Sequence, residues 1–275
     1  MLLHKKNTVS YLEKKASWVR KETLNIHKAA PETRLASSLS AVEIFTVLYY
    51  AGIVKFDPIN LGWESRDRFI ISKGHGAISF YPLLCDLGFF PKKEINRVCK
   101  NDSLLGGIPD PIIPGFETVN GSLGHGLGVG CGMALALKRK KRKEKVFVLM
   151  GDGELCEGSI WEAVMFAAEY KLGNLILILD NNKISMLDYC KNIINLEPIE
   201  DKFRSFKWFT VRVNGHSLSQ LYRGLVALKK DRSLMPKLLI ADTIKGKGVP
   251  RLENDPLCHI KNLSPEEVDA IIKRC

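Results

Sequence analysis

No run of this chain is long and apolar enough, roughly 18 residues, to cross a bilayer as a helix, so neither a spanning segment nor a membrane partner is expected. The opening stretch, MLLHKKNTVSYLEKK, lacks an apolar core of signal-peptide length before its charges resume. Seven cysteines are scattered along the length, with no Cys-x-x-Cys pair and no histidine cluster at zinc spacing. That excludes a disulfide framework and a zinc-type structural site, and it points to a reducing cytoplasm. Internal repeats, low-complexity linkers and a marked domain boundary are also missing, and 275 residues are ample for a buried core. Acidic residues are the scarcer charge: 30 Asp and Glu against 41 Lys and Arg leave a net +11. The densest basic run, residues 138–145 (KRKKRKEK), contains no aromatic and belongs to no nucleic-acid module. It reads as a solvated helix end and loop, where cations suit the helix C-terminus, and no nucleic-acid partner is expected. A basic surface also suits phosphorylated small molecules.

Helical and strand patterns alternate throughout. Residues 8–29 read as a helix with one polar face. Residues 40–51 (SAVEIFTVLYYA) read as a second, opened by Ser40 with Glu43 three positions on, a capping-box spacing. Arg68–Ile71 is a short strand pattern and residues 77–87 a helical one. Residues 146–150 form a compact apolar run ending at Gly151, residues 159–171 have helical periodicity, and residues 175–179 (LILIL) are a second fully apolar run. Residues 209–213 and 238–241 read as further strands with a helix at 217–230 between them, and residues 264–274 as a last helix opening on Ser-Pro-Glu-Glu. Strands apolar on both faces and separated by helices predict an α/β fold: a doubly wound, mostly parallel sheet with helices on both faces. Ligands of such sheets bind at the carboxyl ends of the strands, which here means whatever follows Met150 and Leu179.

Gly151-Asp152-Gly153-Glu154 follows the first apolar run, and Asp180-Asn181-Asn182-Lys183-Ile184 the second. Glycines let backbone N–H groups approach a phosphate, and a following helix N-terminus adds a favourable dipole. Asp152 and the amide oxygen of Asn182 are hard oxygen donors of the kind Mg²⁺ or Ca²⁺ prefers. Gly-Asp-Gly by itself is equally a tight strand-to-helix turn. Paired with Asn-Asn at the next strand end, it suits a metal-bridged diphosphate.

That pairing resembles the thiamine diphosphate fingerprint, and other segments make the resemblance specific to transketolases. Residues 72–77 (SKGHGA) with 80–84 (FYPLL), residues 114–118 (PGFET) followed by 121–127 (GSLGHGL), residues 151–162 (GDGELCEGSIWE) and residues 243–248 (TIKGKG) are each similar to family segments, in the family's order. The resemblance implies a thiamine-diphosphate-binding fold and the roles of particular residues. His75 lies beside the diphosphate. Gly121, Ser122 and Leu123 present backbone and an apolar side chain to the cofactor, and Gly153 offers its N–H to the diphosphate. Asp152, Asn182 and the Ile184 carbonyl hold the Mg²⁺ or Ca²⁺. Glu157 and Glu162 match acids that link two active sites across a subunit interface. His259, flanked by Cys258 and Ile260 where the family reads Trp-His-Gly, lies near the cofactor and the reacting carbons.

The family's pyrimidine-binding domain, with its activating glutamate, finds no match here. Met1 and the closing helix read as natural ends, so the expectation is one diphosphate-binding domain over residues 1–275 and a pyrimidine-binding domain on a separate chain, assembled as a heterotetramer. Two departures bear on the donor. Residues 33–40 (TRLASSLS) put Arg34 where the family has a substrate histidine, and residues 106–110 (GGIPD) put Ile108 where it has a second. Isoleucine cannot meet a sugar hydroxyl, whereas arginine pairs two-pronged with carboxylate or phosphate. The expected reaction is transfer of a two-carbon ketol unit from a ketose-type donor to an aldose, with sugars or sugar phosphates as substrates. The alternatives are acetyl-type transfer from pyruvate or a 1-deoxy ketose, the α-type subunit of a 2-oxoacid dehydrogenase, and a non-catalytic cofactor-binding relative.

Overall fold

A computed structural model describes the backbone of residues 5–274 and the side chains from residue 9 onward. In chain order its elements are α1 (Lys5–Ala29), α2 (Leu35–Leu39), α3 (Val42–Tyr50), β1 (Arg68–Ile71), α4 (Phe80–Asp86), α5 (Gly126–Arg139), β2 (Val146–Gly151), α6 (Gly158–Glu169), β3 (Leu175–Asn181), α7 (Cys190–Ile193), α8 (Ile199–Ser205), β4 (Phe209–Asn214), α9 (Leu218–Lys230), β5 (Lys237–Asp242) and α10 (Pro265–Ile272). The strands form one five-stranded sheet in the order β1-β2-β3-β5-β4, and every pairing is parallel. The expected doubly wound α/β architecture is what forms.

Alternation along the strands divides the core in two. Phe69, Ile71, Phe147, Leu149, Ile176 and Ile178 pack with residues of α1, α3, α4 and α9 on one face. Ile70, Val148, Met150, Leu177 and Leu179 pack with α5, α6 and α8 on the other. All residues of β2 and β3 are buried, as strands covered on both faces must be. Helix α5 crosses β2 so closely that a Cβ on Gly130 would lie 2.6 Å from Val148 Cγ2, so the backbone approach requires glycine there. The basic run behaves as a helix end and loop: α5 stops at Arg139, and Lys138 Nζ donates to the carbonyls of Tyr170 (2.7 Å) and Lys171 (3.1 Å) just past α6.

Two local readings are corrected. Ser40 does not cap a helix: the N-cap of α3 is Ala41, without a side-chain bond. The Ser40 hydroxyl bonds the Asp180 carboxylate at 2.7 Å and the Ser37 carbonyl at 3.1 Å, while Glu43 turns to Arg20 and His216. The helix read at 77–87 is shortened to α4, because residues 77–79 are a connecting turn rather than helix, with the Ala77 N–H donating to the Gly74 carbonyl and the Phe80 N–H to the Ala77 carbonyl. The final helix does carry a full capping box between Ser264 and Glu267.

Candidate functional site

Strands β2 and β3 run side by side with Gly151 opposite Asp180, so the residues just past them meet at one edge of the sheet. Asp152 is buried there, and its two oxygens accept from the Gly153 N–H (2.9 Å) and the Lys183 N–H. Burial, together with the neighbouring Asp180, pushes its carboxyl up to about 6. The Asn182 side-chain oxygen accepts from the Ile184 N–H at 3.2 Å, closing a turn that exposes the Ile184 carbonyl to Lys245 Nζ at 2.8 Å. A carboxylate, an amide oxygen and a main-chain carbonyl form a donor set for a hard divalent cation. They suit such an ion: the Asp152 carboxyl is desolvated beside Asp180, and a divalent ion would supply the missing counter-charge.

Two buried lysines stand among these oxygens. Burial lowers Lys245 to about 8, and its ammonium also donates to the Ser185 carbonyl at 2.7 Å. Lys73, buried after β1, pairs with the buried Asp180, which also accepts from Ser40 and Thr243. Burial works against the Asp180 charge, but Lys73 and the two hydroxyls hold its carboxyl below the usual range. His75 lies in the 3-10 turn after β1, its ring 5.1 Å from that of His259. Burial and then neighbouring lysines depress both imidazoles, His259 to about 4, so both are neutral hydrogen-bonding groups at neutral pH. His259 Nδ1 lies 3.3 Å from the Ser37 hydroxyl. A cavity of about 630 Å³ opens between the strand ends, with Asp152, Asn182, Ile184, Thr243 and Lys245 on its wall. His75, Leu123 and His259 are not on that wall; the link to them runs through Lys245, whose charge lowers both histidines.

The glycine-rich loop reaches the same place. Gly121 has φ +119°, and a Cβ on Gly74 would lie 3.4 Å from its nitrogen, so this loop sits directly on the His75 turn. Ser122 is exposed and Leu123 half-buried there. Glu154, buried and not singled out in the sequence, ties the pieces together. Its carboxylate accepts from the Ser72 hydroxyl and from the N–H groups of Gly124 (3.0 Å) and Gly151 (3.0 Å). Lys73, Asp180, Lys245 and Ser37 went equally unassigned; their one signal was charge or hydroxyl placed within the strand-end motifs.

The structure brings together Asp152, Gly153, Asn182 and Ile184, and beside them His75, His259 and Gly121. Glu157, the N-cap of α6, is exposed but packs against Gly124 of the glycine-rich loop, and Glu162 lies exposed on α6; neither lines the cavity at the strand ends. Arg34 stands exposed at the start of α2, where its charge helps depress His259. Ile108 is 51% exposed, its Cγ2 3.8 Å from where a Cβ on Gly121 would be. Arg34 thus lies within electrostatic reach of His259, and Ile108 lies beside the Gly121 loop.

A doubly wound parallel sheet with carboxylate, amide and carbonyl oxygens and a buried lysine at its strand ends has the residue types of a diphosphate site. Comparison with known proteins narrows this: the chain belongs to the family described as transketolase, thiamine diphosphate binding domain, which matches residues 14–275. It is 37% identical over 264 residues to an apulose-4-phosphate transketolase subunit of Actinobacillus succinogenes, covering 95% of each chain. It is 34% identical over 256 residues to the 6-deoxy-6-sulfo-D-fructose transketolase subunit SqwG of a Clostridium species, covering 93% of this chain and 92% of that one. Transketolase from Campylobacter jejuni superposes with a TM-score of 0.88 at 29% identity, over 97% of this chain but 42% of its own. The chain thus spans nearly all of the subunit-type relatives and about two-fifths of that longer transketolase. The family expected from the motifs is the family found, which decides against the 2-oxoacid dehydrogenase reading.

Proposed function

We propose that this chain is the diphosphate-binding subunit of a two-chain transketolase, transferring a two-carbon ketol unit from a ketose-type donor to an aldose. The observation that carries the reading is the meeting of Asp152, Asn182 and the Ile184 carbonyl with Lys245 at adjacent strand ends. Thiamine diphosphate, when bound, supplies a nucleophilic carbon that carries the two-carbon unit. Asp152, Asn182 and Ile184 hold Mg²⁺ or Ca²⁺, and the Gly153 N–H, His75 and Lys245 meet the diphosphate oxygens. Gly121, Ser122 and Leu123 bound the cofactor on the other loop. Neutral His259 donates to or accepts from oxygens at the reacting end, where it can hold or pass a proton.

The names of the two subunit-type relatives support a second chain, which we assign the pyrimidine-binding half. Two copies of each form the assembly, with the exposed Glu157 and Glu162 at the contact between copies of this chain. The relatives named for apulose 4-phosphate and 6-deoxy-6-sulfofructose support a ketose with an anionic end. The exposed apolar Ile108 and the cationic Arg34 favour a second reading, in which pyruvate or a 1-deoxy ketose donates an acetyl-type unit. Co-expression with a pyrimidine-domain partner, then a donor screen with thiamine diphosphate and Mg²⁺, tests both. Ketose consumption that requires both chains supports the main reading; cofactor saturation without turnover of any donor overturns it.

A further inference from the structure

The loop that carries Lys245 is held from behind by a second set of groups, with Glu43 buried and Arg20 and His216 half-buried. His216, in the turn between β4 and α9, accepts from the Ile244 N–H at 2.8 Å through Nε2. A backbone N–H only donates, so Nε2 is unprotonated and the ring proton is on Nδ1. Nδ1 lies 2.9 Å from Glu43 Oε2 on α3 and donates to it. Arg20 on α1 closes the set: it pairs with Glu43 and donates to the carbonyls of Lys247 (2.7 Å) and Leu39 (3.2 Å). The Gly246 N–H bonds the Ala36 carbonyl at 2.9 Å. Residues 244–247 are thus pinned at three points, and the side chain between the first two is Lys245, which reaches the Ile184 and Ser185 carbonyls. A cavity of about 530 Å³, separate from the cofactor cavity, opens beside Arg20, Glu43 and His216. None of these three side chains lines the cofactor cavity.

We propose that Glu43 and His216 are positioning residues for the cofactor site: the carboxylate fixes the imidazole tautomer, and the imidazole fixes the Ile244 amide, so that Lys245 is aimed at the metal-type oxygens. This rests on the reading of that site as a metal-diphosphate site. The logic is that of an outer-shell partner, which orients a ligand it does not replace. Glu43 contributes only through His216 and Arg20, and His216 only through one hydrogen bond. Replacing His216 by an apolar residue removes the acceptor and leaves the Ile244 N–H and the Glu43 carboxylate short of a partner.

The test has two arms on the full chain and on its complex with the partner. Hydrogen–deuterium exchange of the free chain should show faster exchange across residues 243–249 in His216→Leu, with little change in the core strands. His216→Gln, whose amide oxygen can accept from Ile244, should restore protection. In the complex, His216→Leu and Glu43→Gln should raise the half-saturating thiamine diphosphate and Mg²⁺ concentrations roughly tenfold or more, with kcat at saturation largely kept and His216→Gln close to wild type. Unchanged loop exchange in His216→Leu, exchange rising evenly over the whole chain, or a freed loop with unchanged half-saturation would each overturn the proposal. A wild-type complex that never saturates with cofactor sinks the proposed function instead, and the exchange arm still decides whether His216 holds the loop.

Discussion

The Lys245 ammonium donates to the Ile184 carbonyl at 2.8 Å, and that carbonyl is one of the three oxygens of the metal-type set. A buried cation of the protein therefore stands directly on the strand-end oxygens. It serves an anion well and the cofactor-free fold poorly. Burial lowers Lys245 from 10.5 to about 8, so below pH 8 the folded chain carries a desolvated charge that the unfolded chain does not. The unfolded state binds the extra proton between these two values, so this group's cost is full below about pH 8 and disappears as pH rises towards 10.5. Lys245→Gln, which keeps a donor for the two carbonyls, should raise the thermal midpoint of the cofactor-free chain at pH 7. The gain should be worth up to about 3 kcal/mol and shrink to nothing near pH 10.5. The same variant should bind thiamine diphosphate roughly tenfold more weakly. Calorimetric melting across pH, with cofactor titration, checks both; a destabilised variant with unchanged affinity would contradict the account.

Asp152 titrates in the opposite sense. Its folded carboxyl, at about 6, holds a proton that the unfolded one has lost above 3.8, so burial costs stability as pH rises through that window. A bound divalent ion needs the carboxylate, so protons compete with metal. The half-saturating Mg²⁺ concentration should rise as pH falls below about 6, approaching tenfold per unit. Asp152→Ala should abolish the saturable Mg²⁺ response and cut turnover of the complex by roughly 100-fold or more. Titrations of Mg²⁺ at pH values between 5 and 8 provide the check, and a flat profile would remove Asp152 from the ligand set.

Much of this was legible in the sequence, and the reasons are local. Strands β2 and β3 are apolar at nearly every position because both faces are covered, and such runs announce themselves. Asp152 and Asn182 stand directly at their ends. Helix α5 was hidden because Gly126, Gly128, Gly130 and Gly132 break its pattern and its end merges with the basic run. The Ser40–Glu43 spacing matched a capping box but served long-range partners: Asp180 lies 140 positions from Ser40, and His216 lies 173 from Glu43. Glu154 was invisible for the same reason, since its worth lies in Ser72 and Gly124, two loops that only the fold brings together. Proximity of His75 to His259 came from resemblance alone, because nothing in spacing links positions so far apart.

The buried Lys73–Asp180 pair makes a sharper stability prediction than any surface ion pair of this chain. Both side chains are almost wholly buried, and Asp180 also accepts from Ser40 and Thr243. Removing one partner strands a charge, at a cost of about 3–5 kcal/mol. Lys73→Met and Asp180→Asn should each lower stability by that order in urea unfolding at pH 7. The double variant should lose clearly less than the sum, because neither change then leaves an unpaired charge. Additive losses would mean that the two groups act separately, against the geometry.

Arg34 and Ile108 set the last prediction, since they are the points where the flanks of the site differ in character from its core. Ile108 is half-exposed beside the Gly121 loop and offers no hydrogen bond; Arg34 adds positive charge beside His259. A hydroxyl buried against isoleucine goes unsatisfied at about 1–3 kcal/mol, which corresponds to roughly 5–150-fold in kcat/KM. Ile108→His should therefore raise kcat/KM for ketoses hydroxylated next to the carbonyl by a factor in that range and leave a 1-deoxy donor unchanged or poorer. Arg34→Gln should weaken donors that present a carboxylate or phosphate near the reacting carbon and spare neutral ones, because only the charge-assisted contact is lost. Competition between paired donors in the co-purified complex measures both ratios directly. If neither substitution shifts the ratio, the donor is recognised elsewhere, and these two positions are tolerated variations on an ordinary ketose site.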